Sequence, residues 1–148
     1  TVGRRALLLT GPNRQGLPDP LPAWALAAPY APYAQVFPRA CAIVHQGGAG
    51  TTGQALRAGR PMLVVPFAHD QPDNAARMQR AGVAAVLPIN RHTAPRAAGL
   101  LRGILADGRM AARADLLGRT VRAEDGVGAA CDAIGSVLTS RSPSPAPA

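Results

Sequence analysis

Three short apolar runs, Ala42-Ile-Val44, Met62-Leu-Val-Val65 and Val83–Leu87, each halt at a glycine- or proline-bearing loop, with helical composition between them. Runs this short, bounded by turn residues, suit buried strands of a parallel sheet rather than helices. Two earlier runs, Ala6-Leu-Leu-Leu-Thr10 and Trp24–Ala28, read the same way. Helices are expected over Thr51–Ala58, Asp73–Ala81, Pro95–Ala106, Met110–Val121 and Gly126–Leu138. Gly59 and Gly82 stop the first two, and Thr93 caps the third. Strand alternating with helix predicts an α/β fold, a parallel sheet covered on both faces. The last helix is expected to bury a stripe of Val127, Cys131, Ile134 and Leu138.

The chain has 148 residues, enough for one domain. Residues 1–139 are expected to form it, and the Ser/Pro/Ala-rich stretch 140–148 reads as a disordered tail. With 47% apolar and 16% charged residues the chain is not a disordered one. No apolar run approaches the roughly 20 residues of a membrane span, and a cytoplasmic protein is expected.

The formal charge of +8 raises the question of nucleic acid. All 16 basic residues are arginines, spread nearly singly along the chain, and only five aromatic residues are available to stack on bases. The charge therefore reads as a solvated basic surface with no nucleic-acid partner. Cys41 and Cys131 lie far apart with no CxxC, and are expected to be reduced, buried and structural.

The densest chemistry runs from His45 to Asn74. A strand, a glycine-rich turn and a helix start together bind phosphate, because free N–H groups and the helix dipole converge on the anion. Gly47, Gly48 and Gly50 supply the close-approach backbone, and Thr51 and Thr52 supply hydroxyls. His45, at the strand end, aims over the same turn. The next strand leads into Pro66-Phe-Ala-His69-Asp70-Gln71-Pro72-Asp73-Asn74, whose loop opens onto the same crevice at the carboxyl ends of the strands. Asp70 and Gln71 offer acceptors and an amide donor suited to vicinal sugar hydroxyls, so the two loops together suggest a nucleotide-linked sugar. For Asp70 a helix N-cap is the plainer alternative, and for Asn74 a solvent-facing helix position.

A dinucleotide fingerprint, GxGxxG, is also present as Gly48-Ala-Gly50-Thr-Thr-Gly53, which keeps an NAD(P)-binding domain as an alternative. It leaves His45 and the Asp70-Gln71-x-x-Asn74 spacing unexplained. No HExxH or paired Cys/His spacing points to a metal, so no metal or other cofactor is expected.

Four segments, Ala31–Arg39, Val44–Thr52, Ala55–Pro61 and Val65–Ala75, resemble the donor-binding half of family 1-like nucleotide-sugar glycosyltransferases. These enzymes are built from two Rossmann-like domains in the GT-B architecture. The resemblance implies that His45, Gly50 and Thr51 hold a donor diphosphate, with Gly47, Gly48 and Thr52 in the same turn. It implies that Asp70 and Gln71, with Asn74 beside them, hold the sugar. Tyr30 and Tyr33 fall where the family packs against the base. Gly53 stands where plant relatives carry a ribose-binding acid, and Gln46 where many bacterial members carry a second histidine.

The donor would be a UDP- or dTDP-linked hexose and the acceptor a hydroxyl on a lipid, sterol or other natural product, with inversion. The family's general base lies in an N-terminal domain, and its donor domain opens with a strand–helix unit ahead of the strand matching Ala6–Thr10. Neither has a counterpart here, so a gap in the sheet and little or no transfer by the chain alone are expected. A non-catalytic fragment or partner module is the other alternative.

Overall fold

The computed structural model describes residues 2–13 and 16–140, which excludes all but the first residue of the Ser/Pro/Ala tail. The elements follow as β1 (Ala6–Leu9), β2 (Ala25–Ala28), α1 (Tyr33–Val36), β3 (Ile43–His45), α2 (Ala49–Ala58), β4 (Met62–Val64), α3 (Gln71–Arg80), β5 (Ala84–Val86), α4 (Ala94–Ala106), α5 (Gly108–Ala123) and α6 (Gly126–Ser140). Short 3-10 turns at Phe37–Arg39 and Ile89–Arg91 join two of them. Every strand pairing is parallel, so the expected α/β class holds.

The strands form two sheets instead of one: β1 with β2, and β3-β4-β5 in that order. Backbone hydrogen bonds show where they part. Ile43 N–H donates to Pro61 C=O, and His45 C=O accepts from Val65 N–H, so Val44 turns its peptide groups away from β4. In β1, Ala6 N–H donates to Trp24 C=O and Thr10 N–H to Ala28 C=O, so Leu7 and Leu9 turn theirs away from β2. Among the described residues no strand pairs with either of these edges. Arg4, ahead of β1, and Cys41, ahead of β3, join Gly59, Pro61, Ile104 and Asp115 in lining a cavity of about 350 Å³.

The three-stranded sheet carries the core, and β4 is buried on both faces. Met62 and Val64 pack with Ile43, Ala55, Ala75, Val83, Ala84 and Ala114 on the side of α2, α3 and α5. Leu63 and Val65 pack with Leu87 and Ile104, flanked by Leu100 and Leu101, beneath α4. Alanines at 55, 75 and 114 let the helices lie close, as the ring-poor composition requires. Thr93 caps α4 by accepting from Arg96 N–H at 3.5 Å, and Asp107 caps α5 through Arg109 and Met110 N–H.

Three expectations need correction. The two-stranded sheet is not covered on both faces, because Leu7 and Leu26, opposite one another in register, stay 42% and 66% exposed. The α6 stripe is not buried: Val127, Ile134 and Leu138 are 79%, 61% and 67% exposed, since no described element covers that face. Both cysteines are free and exposed, Cys131 on this uncovered helix and Cys41 in the bend before β3.

Candidate functional site

The glycine turn after β3 is built around His45. The imidazole is buried, its Nδ1 accepts the Gly47 N–H at 3.1 Å, and its Nε2 lies 3.3 Å from Met62 Sδ. An accepting Nδ1 leaves the proton on Nε2, facing the sulfur. Burial lowers the pKa from 6.5 to about 4, so the ring is neutral at pH 7. It holds Gly47 in a left-handed conformation, φ 94°. Both ring nitrogens are engaged inside the fold, and a direct ring-to-phosphate bond would require one of these contacts to open.

Gly47 is pressed between β4 and the start of α3. A Cβ there would stand 2.9 Å from Val64 Cγ1 and 3.1 Å from the Gln71 carbonyl oxygen. Gly48 follows as the extended N-cap of α2, and the first helical bond runs from Thr52 N–H to Gly48 C=O. The N–H groups of Ala49, Gly50 and Thr51 therefore have no helical carbonyl and remain as donors. Beside Gly50 the space is open, with no atom within 4 Å of where a Cβ would stand. Thr51 is half-buried in this turn. Thr52 is buried, one turn from buried Ala55, and its Oγ1 is shut off from solvent with no hydrogen-bond partner. That hydroxyl is not among the groups the turn presents.

The second loop joins β4 to α3 and is shaped by its own polar side chains. Gln71 Oε1 accepts from Phe67 N–H at 2.9 Å and Ala68 N–H at 3.3 Å, which leaves its Nε2 amide as the free end. His69 turns the chain in the left-handed region, φ 58°. Asp70 holds the N-cap position of α3, yet its side chain makes no capping bond. Its Oδ2 accepts instead from Asn74 Nδ2 at 2.8 Å, and the same Nδ2 donates to Gly47 C=O at 2.9 Å. The two loops expected to share a crevice are thus joined by one side chain. Asp73, on the outer face, pairs with Arg77 at 2.7 Å.

Tyr30 and Tyr33 follow the carboxyl end of β2. Tyr33 stacks on Phe37 with ring centroids 4.4 Å apart and 13° between planes, while Tyr30 is 76% exposed. No bond links either tyrosine to the two loops. Gly53, within α2, has open space where a Cβ would stand. Among the described residues no group of three His, Cys, Asp or Glu side chains is placed to hold a metal ion. None of their helices is long and apolar enough to cross a membrane.

The buried imidazole makes stability depend on pH. Between 6.5 and about 4 the unfolded chain binds a proton at His45 that the folded chain does not, so stability is full above that window and falls as pH drops through it. The loss from this group is expected to be on the order of 3 kcal/mol. Melting curves across this range, compared with His45→Asn, check it. The wild-type chain should lose more stability on acidification than the variant, and parallel curves would refute the assignment.

Residues 11–125 match the family model described as Erythromycin biosynthesis protein CIII-like, C-terminal domain. Over 129 residues the chain is 44% identical to the O-mycaminosyltylonolide 6-deoxyallosyltransferase of Streptomyces fradiae, covering 86% of this chain and 29% of that protein. The crystal structure of the kitacinnamycin glycotransferase aligns with a TM-score of 0.80 at 30% identity, over 89% of this chain and 34% of that one. The glycosyltransferase VinC, crystallised with dTDP, aligns with a TM-score of 0.66 at 33% identity, over 70% of this chain and 26% of that one. The chain thus spans about a third or less of each of these proteins. It belongs to the CIII-like C-terminal domain family and is a glycosyltransferase C-terminal domain with the α/β fold of GT-B enzymes.

Proposed function

We propose that the chain binds the nucleotide-sugar donor, a UDP- or dTDP-linked hexose, for inverting transfer to a hydroxyl acceptor such as a lipid, sterol or other natural product. The observation that carries this reading is the joining of two loops of different chemistry by Asn74. On one side the Ala49, Gly50 and Thr51 N–H groups offer a diphosphate site, reinforced by the positive end of the α2 dipole. On the other, Asp70 and Gln71 offer an acceptor and a donor for sugar hydroxyls. The dTDP held by VinC supports a nucleoside diphosphate as the leaving group here.

In transfer, charge grows on the departing diphosphate as the bond to the anomeric carbon breaks. Fixed N–H groups aimed at those oxygens stabilise it without reorganising. The sugar, held from its hydroxyls, is oriented for attack from the opposite face. No metal is required by this scheme. The base that activates the acceptor is assigned to protein outside this chain, so the chain alone is expected to bind donor without transferring it.

Thermal melting in dTDP, UDP and NAD, with and without EDTA, tests the reading. A ligand present at 100 times its Kd stabilises the fold by about 2.7 kcal/mol. Either pyrimidine nucleotide should raise the midpoint at millimolar concentration, unchanged by EDTA, while NAD should not. NAD is the informative control because Gly48-Ala-Gly50-Thr-Thr-Gly53 also reads as a dinucleotide fingerprint. A shift with NAD and none with dTDP or UDP would reverse the conclusion.

A further inference from the structure

We infer that Asn74 is a positioning residue that locks the glycine turn to the sugar loop and thereby sets which polar atoms the site shows to a donor sugar. The inference rests on the donor-binding reading above for its ligand and on hydrogen-bond geometry for its mechanism. An asparagine side chain has two donor hydrogens, both on Nδ2. Here one meets the Gly47 carbonyl at 2.9 Å and the other the Asp70 carboxylate at 2.8 Å. Nδ2 has no hydrogen left for a sugar, and its effect on one runs through Gly47 and Asp70.

The consequences reach both loops. The bond to Gly47 spans 27 positions of sequence and fixes the peptide that leads into the α2 N-terminus. The bond to Asp70 engages Oδ2 and leaves Oδ1 as the unbonded carboxylate oxygen. Gln71 is restricted in the complementary sense: its Oε1 serves Phe67 and Ala68, leaving Nε2. The site therefore presents Asp70 Oδ1 as its unbonded carboxylate oxygen beside Gln71 Nε2 as its free amide donor. This pair suits adjacent sugar oxygens, one donating its hydroxyl proton and the other accepting. Without Asn74 the carboxylate is free to rotate and both of its oxygens compete for water and ligand.

The test compares the affinities of dTDP and dTDP-glucose, and of UDP and UDP-glucose, in the wild-type chain, Asn74→Ala, Asp70→Ala and the double variant. The sugar should add affinity in the wild-type chain. In Asn74→Ala that increment should fall about tenfold, the scale expected when a hydrogen bond to a charged group is lost. Asp70→Ala should abolish the same increment, and the double variant should be no worse than Asp70→Ala, the non-additivity of residues acting through one another.

Amide hydrogen exchange gives a readout that needs no ligand. The Gly47 and Thr52 amides, both hydrogen-bonded in the turn, should exchange at least several-fold faster in Asn74→Ala, while the amides of β4 stay as protected as in the wild-type chain. Unchanged exchange in the turn overturns the lock, and an unchanged sugar increment overturns its role in presenting Asp70. A wild-type chain that binds none of the four nucleotides overturns the donor-site reading, and the exchange comparison then decides the lock by itself.

Discussion

Gly118→Ala is expected to lower the melting temperature by roughly 5–10 °C, although alanine is the better helix former. Gly118 lies in α5 where that helix crosses the end of α2, and a Cβ would stand 2.6 Å from Gly59 Cα and 2.9 Å from Leu56 C=O. Both contacts are backbone, so no side chain can rotate aside. Gly59 cannot yield easily either, because it closes α2 in the left-handed conformation, φ 67°, with its N–H on Leu56 C=O. The helices must separate, and Ala114, one turn earlier in α5 and buried in the same core, moves with them. Overpacking of this kind costs about 1–3 kcal/mol, sometimes more.

Gly103→Ala supplies the opposite sign. Gly103 lies within α4 with nothing within 4 Å of the added Cβ, so the substitution should stabilise by about 0.5–1 kcal/mol through helix propensity alone. Circular dichroism melts of both variants settle the matter together. A Gly118→Ala protein as stable as Gly103→Ala would show that the α2–α5 crossing has room for a methyl group.

The strands were legible because each is a short apolar run between turn residues, a local signal. His45 closes β3, as its place at the strand end predicts. The helix starts were less legible. α2 starts at Ala49 rather than Thr51 because Gly48 serves as N-cap, and α3 starts at Gln71 because Pro72 fits a first helical turn. The misreadings were about cover. Periodicity at Val127, Ile134 and Leu138 says that a face prefers burial, not that the described chain holds the surface that buries it. The site's residue types were visible in sequence, its wiring was not. An asparagine four positions after an aspartate is a hint, because helical spacing places the two side chains together. The reach to Gly47 exists only once β3, β4 and α3 are assembled.

The same distinction separates two glycines of the candidate diphosphate turn. Gly47→Ala should fail in the fold: its φ of 94° is unfavourable to any side chain, and its Cβ would collide with Val64 and the Gln71 carbonyl. Nucleotide binding and melting temperature should fall together. Gly50→Ala should fail only in function. Its surroundings are empty and its place in the first turn of α2 tolerates alanine, so the melting temperature should hold or rise slightly. Yet a methyl group there occupies the space through which a diphosphate would reach the Ala49, Gly50 and Thr51 N–H groups. Affinity for dTDP or UDP should drop at least tenfold, about 1.4 kcal/mol. Calorimetric titration of the two variants against the wild-type chain measures this split. If Gly50→Ala binds as the wild-type chain does, the anion does not sit on this helix end. If Gly50→Ala loses binding while keeping its full melting temperature, the empty space beside Gly50 belongs to the ligand.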